Sequence, residues 1–260
     1  MFKKYNKAAF IALQSIIIKE ITRYFRIWVQ TLLPPAITMS LYFVIFGQLI
    51  GSRVGQMGGV SYMEYITPGI IMMSVITNSY SNVVSSFFSS KFQRNVEEML
   101  VSPVPTLFIL MGYVLGGVSR GLLTGIIVTI VASQFVDINI NNWAILIVVV
   151  ILTSMLFATG GLVNAIFAKK FDDISIVPTF ILTPLTYLGG VFYSIKLLPE
   201  FWQSVSLANP ILYMVNAFRY GFLGFSDIEI VHALVLISVF IVSLLSLAYY
   251  LLAKGIGIRS

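Results

Sequence analysis

Trp143-Ala-Ile-Leu-Ile-Val-Val-Val-Ile-Leu-Thr-Ser-Met-Leu-Phe-Ala-Thr-Gly-Gly-Leu-Val-Asn-Ala-Ile-Phe167 contains no charged side chain. As a helix rising about 1.5 Å per residue, it is longer than the roughly 30 Å of hydrocarbon in a bilayer. Asp137 and Lys169 bound the uncharged stretch, and the same pattern recurs along the chain. No charge occurs between Arg26 and Arg53, between Glu64 and Lys91, or between Asp173 and Lys196, and each gap holds at least 22 residues. A further apolar run follows Pro105 and contains Arg120; the last begins near Val231. These runs predict an all-α integral membrane protein with six spans, at about 28–50, 66–89, 106–132, 143–167, 174–194 and 231–252.

Composition agrees with that solvent. The 260 residues are 58% hydrophobic and 10% charged, with a mean hydropathy of +0.95, whereas about a quarter of a soluble domain is charged. The net charge of +6 does not point to nucleic acid, because the cations sit at span edges. With the N-terminus inside, Lys3, Lys4, Lys7, Lys19, Arg23, Arg26, Lys91, Arg94, Lys169, Lys170, Lys254 and Arg259 are cytoplasmic, while only Arg53, Lys196 and Arg219 face out. That bias sets an N-in, C-in topology. The basic start and the apolar run from Ala8 to Ile18 mimic a signal peptide, but no small-residue cleavage site follows.

Several chemistries are excluded. There is no cysteine and only His232 among histidines, so thiol catalysis, disulfides and Cys- or His-based metal sites are not expected. No G-x-x-x-x-G-K-[ST] phosphate loop occurs, so ATP hydrolysis would need a partner. The spans also lack the paired acids of a proton or sodium path, which weighs against an ion-coupled carrier. A membrane scaffold without transport is the alternative from another class.

Some segments stand out. Ala8, Ala12, Ser15, Lys19, Arg23 and Arg26 share one helical face, predicting an amphipathic helix over 8–26 along the inner surface, near anionic headgroups or an acidic partner. In the second span Ser74, Asn78, Ser81, Ser85 and Ser89 form a polar stripe beside Asn82. In lipid such a stripe faces helices or a wet cavity. The loop 91–105 has room for one short helix stopped by Pro103 and Pro105, with Arg94 and Glu98 spaced to pair; it reads equally as a connector or as a dock for a soluble partner. Gly112, Gly116, Gly117, Gly121 and Gly125 give small-xxx-small steps that predict close packing in the third span. Arg120 needs acceptors within the bilayer, and carbonyls released near Pro34, Pro35 or Pro184, or water, are the available ones. Asn209-Pro210 breaks the uncharged stretch Phe201 to Phe218, which reads as two short helices in the outer leaflet and not as a seventh span.

The order of these elements resembles the ABC-2 permease family over nearly the whole chain. The resemblance rests on Phe92-Gln-Arg-Asn-Val-Glu-Glu-Met-Leu-Val-Ser-Pro-Val, on Pro184-Leu-Thr-Tyr-Leu-Gly-Gly-Val-Phe-Tyr, on Leu198-Pro199, and on Asn209-Pro-Ile-Leu-Tyr-Met-Val-Asn-Ala-Phe-Arg219-Tyr-Gly. It implies a multi-pass inner-membrane exporter subunit that pairs with itself above two cytoplasmic ABC ATPases, which bind ATP and Mg; this chain binds no cofactor or metal. It further implies that Lys91, Arg94, Glu97 and Glu98 form a coupling helix, with Lys19, Arg23 and Arg26 beside it. The second and fifth spans would line the path, through Asn78, Asn82, Ser85, Thr179 and Thr183. Arg120 stays open between a structural role and the path. A re-entrant segment at 197–226, with Leu198, Pro199, Asn209 and Pro210, would form the outer gate. Sparse charge along such a path favours a hydrophobic or amphiphilic solute, and within the family cargo ranges over drugs, lipids and glycans.

Overall fold

In the computed structural model the backbone is described for residues 2–258 and side chains for residues 9–258. The side chains of Lys3, Lys4, Lys7 and Ala8, and the whole of Arg259, therefore lie outside the description, and with them the expectations placed on them. The chain is almost wholly helical. In order come α1 (Phe2–Arg26), α2 (Trp28–Val54), α3 (Tyr62–Phe92), α4 (Asn95–Val101), α5 (Thr106–Ala132), α6 (Trp143–Phe167), α7 (Asp173–Leu188), α8 (Glu200–Leu207), α9 (Pro210–Leu223) and α10 (Ile230–Lys254). A two-residue hairpin, Gln56–Met57 with Val60–Ser61, joins α2 to α3. Four helices, α2, α5, α6 and α10, are long and apolar enough to cross a membrane.

Helix α3 is the axis of the bundle, with Ile66, Ile70, Met72, Val75, Ile76, Val83 and Phe87 fully buried. A reciprocal capping box starts it: the Glu64 amide donates to Ser61 Oγ at 3.3 Å, and the Ser61 amide donates to Glu64 Oε2 at 2.8 Å. Glycines bring the neighbouring helices close. A Cβ at Gly161 of α6 would stand 2.5 Å from the Tyr80 carbonyl oxygen; one at Gly117 of α5 would stand 2.6 Å from Val83 and 2.7 Å from Ala158. The glycines of α5 serve two partners. Gly117, Gly121 and Gly125 face α3 at Val83, Ser79 and Val75, whereas Gly112 and Gly116 face Ile16 and Glu20 of α1. Dispersion and close backbone approach do this packing where the surrounding lipid is as apolar as the core.

Helices α2 and α7 are irregular, and both carry prolines. Pro34 and Pro35 of α2 supply no amide, so the helix turns at Leu32, and it later widens into a π stretch over Phe43–Ile50. Pro178 opens a second π stretch, Pro178–Leu182, within α7.

Candidate functional site

Helix α3 divides the polar stripe into two edges. Ser74, Asn78, Asn82, Ser86 and Ser90 are buried, whereas Met73, Thr77, Ser81, Ser85 and Ser89 are open or half-open. The buried edge meets α1 and α5; the open edge forms a hydroxyl lane one residue in four, the repeat that keeps side chains on one helical face.

Arg120 belongs to the buried edge and is 8% exposed. Its Nη2 donates to Asn78 Oδ1 at 3.0 Å and to the Thr31 carbonyl at 3.3 Å. Thr31 stands four residues before Pro35, so its carbonyl has no amide donor from that position. A proline-released acceptor near Pro34-Pro35 is one of the two groups that hold this arginine, together with Asn78.

On α1, Lys19 and Arg26 are exposed, whereas Glu20 and, in part, Arg23 turn toward α3 and α5. Glu20 is fully buried. Its Oε1 accepts from Ser86 Oγ at 2.5 Å, and its Oε2 lies 3.4 Å from Asn82 Nδ2 and 3.5 Å from Arg23 Nη2. Arg23 Nη2 donates to the Asn82 carbonyl at 2.9 Å and to Asn82 Oδ1 at 2.8 Å. Lys19 Nζ donates to Ser90 Oγ at 3.2 Å and lies over the Tyr113 ring at 5.5 Å. Glu20 was missed in the sequence because it sits among basic residues on a helix that reads as surface; its spacing of three from Arg23 was the available signal. A cleft of about 420 Å³, lined by Lys19, Thr22, Arg23, Arg26 and Ile27, opens beside this cluster.

The expected path residues are not all brought together. Asn78, Asn82, Ser85 and Arg120 gather where α1, α3 and α5 meet. Thr183 lines a separate narrow cavity of about 50 Å³ with Thr77, Ser81 and Thr186, between α3 and α7. Thr183 Oγ1 donates to the Pro178 carbonyl, and Thr179 is exposed. Ser85 of the first group and Ser81 of the second are neighbours on the open lane.

In the loop 91–105, Lys91 is spent within the fold. Its Nζ donates to the Ile166 and Ala168 carbonyls at 2.5 and 2.8 Å, closing the end of α6. The Arg94–Glu98 pair does not form among the described residues. Arg94 precedes α4 in a left-handed conformation, φ 62°, so it is off the helical face that Glu98 occupies. Val96 is buried and anchors α4, leaving Glu98 exposed and Glu97 half-exposed. Lys91, Arg94 and Glu97 border a cleft of about 410 Å³ with Phe88, Phe92 and Lys169.

At the other end, Pro199 caps α8 and Asn209 caps α9. Asn209 Oδ1 accepts from the Ile211 amide at 3.0 Å, while its Nδ2 donates to the Leu185 carbonyl at 2.6 Å, tying α9 to α7. Leu198 accepts from Gln203 through its carbonyl. Helix α8 is exposed at Phe201 and Trp202, and α9 is buried against the bundle. Arg219 on α9 is 1% exposed; it donates to the Gly190 carbonyl at 2.7 Å and stacks 4.0 Å from the Tyr65 ring.

The profile of the ABC-2 type transporter family matches residues 11–223, from α1 to the end of α9. The chain belongs to the ABC-2 type transporter family. It is 59% identical over 250 residues to the inner membrane transport permease YadH of Escherichia coli (strain K12), covering 96% of this chain and 98% of that protein. It is 25% identical to nodulation protein J of Rhizobium leguminosarum bv. trifolii and 24% identical to that of Rhizobium meliloti (strain 1021), over 73% and 71% of each chain respectively. An ABC-2 permease is a transport subunit and not itself an enzyme. The family accounts for the missing phosphate loop, since ABC permeases work with an ATPase partner.

Proposed function

We propose that this chain is the permease subunit of an ATP-binding cassette exporter in a bacterial inner membrane. It crosses the membrane six times with both ends in the cytoplasm, α3 and α7 supplying the two spans whose polarity or irregularity masks them. It acts as a homodimer above two cytoplasmic ATPases, which carry ATP and Mg. The name of its relative YadH, an inner membrane transport permease, supports the compartment.

The observation that carries this reading is the two-edged α3. Its buried edge is locked to α1 and α5 through Asn78, Asn82 and Ser86, and its open edge offers Thr77, Ser81, Ser85 and Ser89. Thr77 and Ser85 return their hydroxyl protons to the Met73 and Ser81 carbonyls of the same helix, at 2.9 and 2.7 Å, and the acceptor lone pairs left along this edge suit another protomer or a hydrated solute. A path between two such lanes, with Thr179 and Thr183 of α7 on its flank, suits a hydrophobic or amphiphilic solute. The same helix ends at Phe92, and its last turn carries Lys91, the first residue of the coupling segment with Arg94, Glu97 and Glu98. Pressure from an ATPase on α4 is therefore transmitted to α3 directly, and through the Lys91 bonds to α6. Leu198, Pro199, Asn209 and Pro210 form the outer gate in this reading.

Co-expression with candidate soluble ABC ATPases tests it. The permease should retain one of them through purification and support vanadate-sensitive ATP hydrolysis; capture of none would overturn the ATP-driven reading.

A further inference from the structure

Lys19, Arg23 and Arg26, near the end of α1, line one open cleft. Arg23 is pinned from one side only. Its Nη2 carries both bonds to Asn82, its Nε is buried, and its Nη1 has a single long contact to Ser85 Oγ at 3.4 Å. The side chain is 27% exposed, at the point where the open lane of α3 passes. A guanidinium is a rigid fork suited to carboxylate or phosphate, and here Nη1 is the arm left with donor capacity.

The ion pair with Glu20 engages Nη2 alone. Glu20 is the nearest acid, but its carboxylate is wholly buried and shared with Ser86 and Asn82. Gly116 makes the room: a Cβ there would stand 2.5 Å from Glu20 Cβ. Glu20 thus holds Arg23 from behind, as a positioning residue, without reaching the cleft. The cleft wall carries Lys19, Arg23 and Arg26 and no acid, and Ile27 closes it. Beyond the wall Ile18 and Phe25 are exposed at 63% and 49%, an apolar border that a free ion has no use for.

We propose that this cleft takes the acidic headgroup, phosphate or carboxylate, of an amphiphile entering from the cytoplasmic leaflet between α1 and α3, with Arg23 as its first binding point and its tail against Ile18, Phe25 and Ile27. That the bound amphiphile is cargo rests on the permease reading above; the headgroup site does not.

Trp28, one residue beyond Ile27, is a built-in reporter. With Trp143→Phe and Trp202→Phe it becomes the sole tryptophan of three. In phosphatidylcholine nanodiscs, brominated phosphatidic acid should quench Trp28 at about a tenfold lower mole fraction than brominated phosphatidylcholine with the same chains, the scale of one charge-assisted contact. Arg26→Gln and Arg23→Gln should each reduce that preference at least about threefold, and Glu20→Gln should weaken it without abolishing it. Arg26 makes no bond within the fold among those described, so its variant tests the site without threatening folding. Equal quenching by both lipids, an equal loss in the distant charge-matched variant Lys169→Gln/Lys170→Gln, or abolition of the preference by excess inorganic phosphate would each overturn the site, the last assigning it to a free anion. ATPase capture by the same preparation is scored separately. Capture without lipid preference sinks only the headgroup site, and preference without capture sinks only the transporter.

Discussion

The Thr31 carbonyl lies 3.3 Å from the Arg120 guanidinium, four residues before a proline that has no amide to offer it. A cation that is costly in a bilayer and a carbonyl that a proline leaves free satisfy one another, across two helices far apart in sequence. Asn78 completes the arrangement from α3.

Arg120→Met should therefore destabilise the bundle by about 1–3 kcal/mol, because Asn78 Oδ1 and the Thr31 carbonyl are left without that donor. Adding Pro35→Ala restores an amide in reach of Thr31, and the double variant should recover part of the loss. A thermal-unfolding series in detergent measures both; strictly additive losses would show that the proline and the arginine are not coupled.

The glycines of α5 and α6 differ in what surrounds them. Gly117→Leu places its side chain between Val83 and Ala158, where even a Cβ has 2.6–2.7 Å, and should yield aggregated or poorly inserted protein. Gly160→Ala, whose nearest neighbour is 3.7 Å away, should purify normally. Size-exclusion profiles of the two distinguish a packing requirement from a general intolerance of change in these helices.

Asp173 Oδ2 accepts from the Lys169 and Lys170 amides at 2.8 and 3.0 Å. These two backbone hydrogen bonds, Lys169 first, hold its carboxyl below the usual value of 3.8. A lowered carboxylate stabilises the turn above that usual value and loses its effect as pH falls through the folded one. Hydrogen exchange at Lys169 and Lys170 should be slowed in the wild type relative to Asp173→Ala at neutral pH, and the difference should shrink at strongly acidic pH. A difference independent of pH would mean that the carboxylate charge is not what orders the turn.

Glu97→Lys/Glu98→Lys changes the exposed part of α4 while buried Val96 keeps its anchor. Reversing two charges at a charge-complementary dock should weaken ATPase capture by at least about tenfold and leave membrane insertion unchanged. Undiminished capture would place the dock elsewhere.

Much of the fold was legible because charge is costly in hydrocarbon, so its placement marks helix limits without any tertiary information. Trp143–Phe167 follows a run that charges delimit, and Thr106–Ala132 follows the apolar run that begins after Pro105 and contains Arg120. Asn209-Pro210 divides two helices as the missing proline amide requires. The candidate site was legible by residue type, since Ser and Asn repeating on one face of α3 announce a polar edge.

Which side of that edge is open was not legible. Asn82 and Ser85 are three apart and equivalent by periodicity, yet Asn82 is sealed by Glu20 and Arg23 while Ser85 borders the lane. That difference depends on α1 lying against α3 and α5, and Gly112 and Gly116 permit it by leaving room for Ile16 and Glu20. The sequence by itself determined a family member built of membrane helices without its own ATP site, because solvent cost and a missing phosphate loop act residue by residue. Only the tertiary structure decided that Lys91 closes α6, that Thr31 serves Arg120, and that Glu20 and Arg23 of α1 bond to α3. Each of those bonds joins groups distant in the chain, and no local pattern carries the geometry that brings them within reach.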